Sequence, residues 1–349
     1  MEKERDLSLD YAKGILIILM VMGHTFLPQI IKNFIFYFHM PCFLFISGML
    51  LSENLIDNPI NGIKNKLKAY YVPYILWIIL FILIHNLLSV LHVFNGQYEF
   101  NEYIPSILNS AFFEIPPLAV KNGFGILWFM GVLTISSLVS IFILNFLRRF
   151  SLNEKVLLPL IVLALCVISY FWSNVECAKP ELLKPRAILG TTFFITGYYV
   201  KKHKIFDLHL SRWLWVLYLL PIILSYKTFM SMNTAKGIYI FVYFIAAIAG
   251  SISTISVARI LSKWKIEYLS QIGKSTIFIY FLHFFVYKIL TLAFIVTSSM
   301  SINLLAIIPY PKTLPSFVWI FYTIIGVTVP VVIKSGIDKI KALLKSKFY

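Results

Sequence analysis

Asp10, Lys13 and His24 are the residues whose types and spacing could do chemistry together. They lie on one apolar run, with ten residues between the lysine and the histidine. If that run is an α-helix, eleven steps of ~100° leave Lys13 and His24 only ~20° apart around the axis. Along the axis they are ~16 Å apart, and Asp10 shares their stripe. A carboxylate and an ammonium at one end can balance or bind an anion. A neutral imidazole at the other end, with an ordinary pKa of ~6.5, can take a proton from a hydroxyl. The same imidazole could instead be acylated as a nucleophile. A lone histidine in such a run is as readily a packing partner across helices; two partners on its stripe favour the base.

Other ionisable groups also sit within apolar runs, where burying them is costly and function is the usual reason. His39 stands before Met40-Pro41 and, with His24, is a candidate for the reacting end, to position an acceptor or stabilise an oxyanion. A proline kink alone would explain that motif equally well. His283 follows Ser275 and Tyr280, so these three are candidates for a substrate wall, with packing as the alternative. His85 and His92 are seven residues apart on one face, and Lys288 could snorkel or neutralise an acid. Lys64, Lys66 and Lys68 stand just before Tyr71-Val72-Pro73-Tyr74. They are either topology signals or a point-charge site for nucleotide phosphates. Trp128 is either a belt residue at the membrane interface or a stacking platform for a sugar.

The elements that must position these groups are membrane helices. The 349-residue chain is 59% hydrophobic and only 13% charged, with a mean hydropathy of +0.83. Soluble domains carry roughly a quarter charged residues. Ten apolar segments are predicted to span a bilayer: residues 12–31, 34–52, 71–93, 124–147, 155–172, 183–200, 212–229, 237–259, 275–298 and 316–333. The sixth is short between Arg186 and Lys201, and Leu182 and Leu183 would extend it. Of the 31 Lys and Arg, most fall in alternate connections, including Lys64 to Lys68, Arg148 and Arg149, Lys201 to Lys204, and the tail after residue 333. The positive-inside rule then places both termini in the cytoplasm. The same distribution argues against nucleic acid as the reason for a net charge of +16. The longest exterior connection, about 94–123, is expected to fold over the outer mouth with a short helix near residues 104–113. Cys42 and Cys166 fall in apolar runs and Cys177 in a loop, so neither a disulfide framework nor a metal site is expected. The expectation is an all-α integral membrane protein: one domain over residues 1–349, a single bundle of about ten helices in the cell membrane.

Walker loops, dinucleotide fingerprints, HExxH, GxSxG and CxxC pairs do not occur. A different set of motifs does. Asp10-Tyr11-Ala12-Lys13-Gly14, Gly23-His24, Phe38-His39-Met40-Pro41 and Phe45-Ile46-Ser47-Gly48 come first. Pro73-Tyr74 with Trp77, then Leu127-Trp128-Phe129, then Ile272-Gly273-Lys274-Ser275 leading to Ile279-Tyr280 and His283 follow in order. This series resembles the membrane acyltransferase-3 family, which includes bacterial polysaccharide O-acetyltransferases and fucose-4-O-acetylase-like proteins. The resemblance implies ten helices and transfer of an acyl group, usually acetyl, from cytosolic acetyl-CoA or another acyl-CoA. The acceptor it implies is a hydroxyl of an extracytoplasmic glycan or lipid-linked sugar. The family's catalytic signature, a basic residue, ten residues and a histidine, falls here on Lys13 and His24. Donor contacts would fall on Lys13, Lys66 and Lys68, although Ala69 stands where a second base is expected. The family's appended hydrolase-like domain is not expected in this chain. A homodimer is compatible with the sequence. The rival readings are a transporter or flippase of lipid-linked glycans, which would need no acyl donor, and a scaffold without activity, which leaves the stripe without a purpose.

Overall fold

The computed structural model describes residues 7–173, 184–205 and 213–347. Cys177, Leu182, Leu183 and Arg212 lie outside the described residues. Within them every regular element is a helix. The first are α1 (Leu7–Gly23) and α2 (Gln29–Met49), then the short α3 (Glu53–Asp57) and α4 (Pro59–Lys66). A π-helical turn at Leu67–Tyr71 leads from α4 into α5 (Val72–Val90). The connection to α8 (Trp128–Arg149) holds α6 (Tyr103–Ala111) and α7 (Pro117–Lys121). Next come α9 (Glu154–Trp172), α10 (Pro185–Lys202), α11 (Leu219–Lys227) and α12 (Tyr239–Ser262). The short α13 (Glu267–Lys274) precedes α14 (Thr276–Thr297) and α15 (Trp319–Lys347).

A helix overlies each apolar segment read from the sequence. Seven described helical stretches are long and apolar enough to cross a membrane. The three outside that set are α1 at 17 residues, α10 with its charged ends, and the short stretch Leu214–Lys227. The short helix expected over the outer mouth is α6.

The first helix departs from its expected bounds. It ends at Gly23 rather than running to residue 31, because Pro28 forces the residue before it out of the helical region. Three side chains hold the break. Thr25 Oγ1 donates to the Met22 carbonyl at 2.7 Å, and the Tyr287 hydroxyl donates to the Val21 carbonyl at 2.7 Å. The Phe26 N–H donates to the Tyr310 hydroxyl at 3.1 Å. Pro41, by contrast, lies inside α2 without ending it.

α1 is the central helix, packed against α2, α12, α13, α14 and α15. Backbones meet where glycines face each other. A methyl group on Gly273 would overlap the Asp10 carbonyl, and one on Gly14 would press on the Leu269 carbonyl, so α13 lies directly on the Asp10–Lys13 turn. Gly48 and Gly197 bring α2 and α10 together in the same way. A further tie is polar. Arg148 on α8 pairs with Glu53, with Asp57 at 2.7 Å and with Glu154 at 3.0 Å. Lys202 reaches Glu154 at 2.5 Å, so the network joins α3, α8, α9 and α10.

Candidate functional site

At the start of α1, the buried Asp10 accepts an ion pair from Lys13 Nζ at 2.7 Å. Lys13 lines a cavity of about 480 Å³. Two further lysines line the same cavity, Lys274 from the end of α13 and Lys334 from α15. Lys334 is itself paired with Asp338 at 2.8 Å. Tyr70 and Ser47 complete its polar rim. At the other end of α1, His24, His39, Trp128 and Asn233 line a cavity of about 150 Å³. Met20, Met40 and Tyr280 line both cavities. The two therefore adjoin beside α1 as a corridor in two parts, basic at one end and histidine-lined at the other, with Met20, Met40 and Tyr280 between them.

Tautomers follow from the hydrogen bonds. His39 Nδ1 lies 2.7 Å from the Ile35 carbonyl, which can only accept, so Nδ1 carries the proton and Nε2 holds the lone pair. His283 is fully buried, and its Nδ1 donates to the Ile279 and Tyr280 carbonyls at 3.1 and 3.0 Å. Its Nε2 is a buried lone pair without a protein hydrogen-bond donor. The His283 ring centroid is 5.6 Å from that of His24, and Phe284 flanks His24 at 5.5 Å. His24 and His39 thus line one end of the corridor, with His283 buried beside His24.

The remaining sequence candidates divide. Tyr280 lines both cavities and anchors its hydroxyl on the Ile126 carbonyl at 2.5 Å. Ser275 is buried at the junction of α13 and α14, while its neighbours Lys274 and Thr276 line the larger cavity instead. Lys66 is buried with its ammonium 5.5 Å from the Tyr70 ring, and Lys68 is exposed. Neither lines the larger cavity, although Tyr70 between α4 and α5 does. Trp128 lines the histidine cavity and has the Arg186 guanidinium over one face of its ring at 4.7 Å. Two groups pin connections between helices. His85 Nε2 donates to the Gly96 carbonyl at 3.1 Å, and Lys288 Nζ donates to the carbonyls of Leu305 and Ile307 at 2.7 and 3.0 Å. His92 lies just beyond α5 with φ +57°, off the face it was expected to share with His85.

Sequence reasoning missed Lys334, Asn233 and the position of Met20 and Met40 between the two cavities. Lys274 was visible within Gly273-Lys274-Ser275 but was read as a topology charge.

Residues 6–334 match the family described as an acyltransferase domain. Two proteins named nodulation protein NolL share a shorter stretch, one from Sinorhizobium fredii (strain NBRC 101917 / NGR234) and one from Mesorhizobium japonicum (strain LMG 29417 / CECT 9101 / MAFF 303099). Identity is 33% over 85 residues with the first and 35% over 86 residues with the second. Each match spans 21% of this chain and 23% of the relative's length. No solved structure matches the chain.

Proposed function

The chain belongs to the acyltransferase domain family, and from that premise we propose that it is a multi-pass membrane O-acyltransferase. It moves an acyl group, acetyl in the first instance, from cytosolic acyl-CoA to a hydroxyl of an extracytoplasmic envelope glycan. Ten crossings with both termini in the cytoplasm set the basic end of the corridor inside and the histidine end outside. The observation that carries this reading is the corridor itself: Lys13, Lys274 and Lys334 at one end, His24 and His39 at the other.

Bound acyl-CoA supplies an activated acyl carbonyl and a sulfur leaving group. Lys13, Lys274 and Lys334 hold its phosphates as point charges, a role that moves away from Lys66 and Lys68 because neither lines the cavity. Asp10 keeps Lys13 fixed at the rim. The ~16 Å rise of α1 from Lys13 to His24 suits an extended donor arm. His24 takes the proton of the acceptor hydroxyl as its oxygen attacks the acyl carbon. It then returns that proton to sulfur as the carbon–sulfur bond breaks, a role worth typically ~10²–10⁴-fold. His283, its ring centroid 5.6 Å from that of His24, packs beside the base. His39 holds the acceptor through its Nε2.

The test incubates membranes carrying wild type or His24→Ala with labelled acetyl-CoA and an envelope glycan extract. Label should appear in glycan from wild type alone, with equal insertion of both proteins. Equal label from His24→Ala would remove His24 from the mechanism. No label from wild type would favour glycan transport over acyl transfer.

A further inference from the structure

We propose that the acyl group of the donor rests against Met20 and Met40, and that this seat admits a short, uncharged acyl chain and rejects one ending in a carboxylate. The inference rests on the acyl-transfer reading above and names the class of donor.

In that reading the donor enters by the larger cavity and the acceptor hydroxyl meets His24 in the smaller one, so the acyl carbon belongs where the two adjoin. Met20, Met40 and Tyr280 line both. Met20 lies one turn before His24, whose N–H donates to the Met20 carbonyl at 3.2 Å. It is seven residues beyond Lys13, or ~10 Å along α1. From the two methionines the wall continues into the larger cavity through Phe43, Phe129, Met130 and Leu133. The rings of Phe43 and Phe129 meet, with 6.0 Å between their centroids. Thioethers and rings of this kind pack against alkyl groups.

A buried carboxylate, by contrast, needs a cation or several hydrogen-bond donors, and more so at membrane depth. Three hydroxyls on the wall of the larger cavity have already given their protons to backbone carbonyls. Tyr280 donates to Ile126 at 2.5 Å, Ser47 to Phe43 at 2.8 Å and Thr276 to Gly273 at 2.7 Å. On the side of the smaller cavity, His39 keeps a lone pair on Nε2 because its Nδ1 proton goes to the Ile35 carbonyl. Lys13, Lys274 and Lys334 stand where the phosphates of the donor would bind. That basic end attracts every acyl-CoA alike, so discrimination against an acidic acyl group must arise at the seat.

The experiment uses the full chain in phosphatidylcholine nanodiscs without glycan. Affinity is measured for propionyl-CoA and for malonyl-CoA, in which a carboxylate replaces the terminal methyl group. Propionyl-CoA should bind at least about tenfold more tightly, since an unpaired buried charge is penalised beyond a lost hydrogen bond. Met40→Lys should abolish that preference by giving the carboxylate a cation. Leu50→Lys is the comparison, because Leu50 is exposed on the same cavity and ~15 Å from Met40 along α2. It should keep the preference of wild type. Equal affinities in wild type, a preference for malonyl-CoA, or no binding of either overturns the proposal. So does a preference that Met40→Lys leaves intact or that Leu50→Lys removes. A second measurement needs no variant: a coenzyme A thioester whose butyryl group bears a diazirine should cross-link wild type at Met20 or Met40. A cross-link confined to other residues, or none, overturns the seat. Preference for propionyl-CoA with no label reaching glycan would support the seat and overturn the transfer reading, so the two fail separately.

Discussion

At the scale of single residues, the Asp10–Lys13 pair and the two added lysines separate donor binding from chemistry. Lys13 sits at the rim with its partner buried beneath it, so its ammonium keeps a fixed position. Lys274 and Lys334 approach the same cavity from two other helices. A charge-assisted contact to phosphate contributes about 1.5–3 kcal/mol, or roughly tenfold to a hundredfold in affinity. Lys13→Ala and Lys274→Ala should each raise the KM for acetyl-CoA by about that factor, with kcat changed much less. Lys68→Ala is the comparison, because Lys68 is exposed and away from the cavity. A larger KM effect at Lys68 than at Lys274 would return the donor contacts to the stretch before Pro73. The stripe of Asp10, Lys13 and His24 was legible in the sequence because helical periodicity turns spacing into a shared face. The shared cavity of Lys13, Lys274 and Lys334 was not, because their helices are far apart in the chain.

At the scale of elements, the position of Lys274 depends on how closely α13 lies against α1. Glycine within a helix costs about 0.5–1 kcal/mol relative to alanine, so Gly14 and Gly273 need a compensating reason. Their reason is the near contact of two backbones. A larger side chain at Gly273 meets the Asp10 carbonyl, which cannot rotate away as a flexible side chain would. Overpacking of this kind costs about 1–3 kcal/mol. Gly273→Val should lower the thermal midpoint in detergent and raise the acetyl-CoA KM together, since Asp10, Lys13 and Lys274 shift as one. Gly336→Ala has open space around it and should leave the midpoint within error. An unchanged midpoint for Gly273→Val would mean that α13 is not packed on α1. The end of α1 carries a related lesson. A hydropathy window runs past Gly23 because the following residues are apolar, but Pro28 and the hydrogen bonds of Tyr287 and Tyr310 accompany the end of the helix at Gly23.

At the scale of the whole molecule, the proposed reaction requires the two ends of the corridor to face opposite sides of a membrane. Lys236 lies before α12 and Lys263 just after it, both exposed. In a background with Cys42, Cys166 and Cys177 replaced by serine, Lys236→Cys should react with a membrane-impermeant thiol reagent on intact cells. Lys263→Cys should react only after lysis. The reverse pattern would invert the bundle and place the histidine end in the cytoplasm.

The sequence by itself determined that the chain is helical and suited to a membrane. It located the helices and set Asp10, Lys13 and His24 on one stripe of the first. Those properties are local: apolar runs, prolines and a 3.6-residue period are written along the chain. Tertiary structure decided the rest. It brought His283 within ring contact of His24, gathered Lys274 and Lys334 beside Lys13, and laid Arg186 over Trp128. It also supplied Arg148 with three acids from two other helices. Such contacts depend on how helices rotate and cross, which is set by glycine-sized gaps and side-chain packing rather than by the period of any one helix.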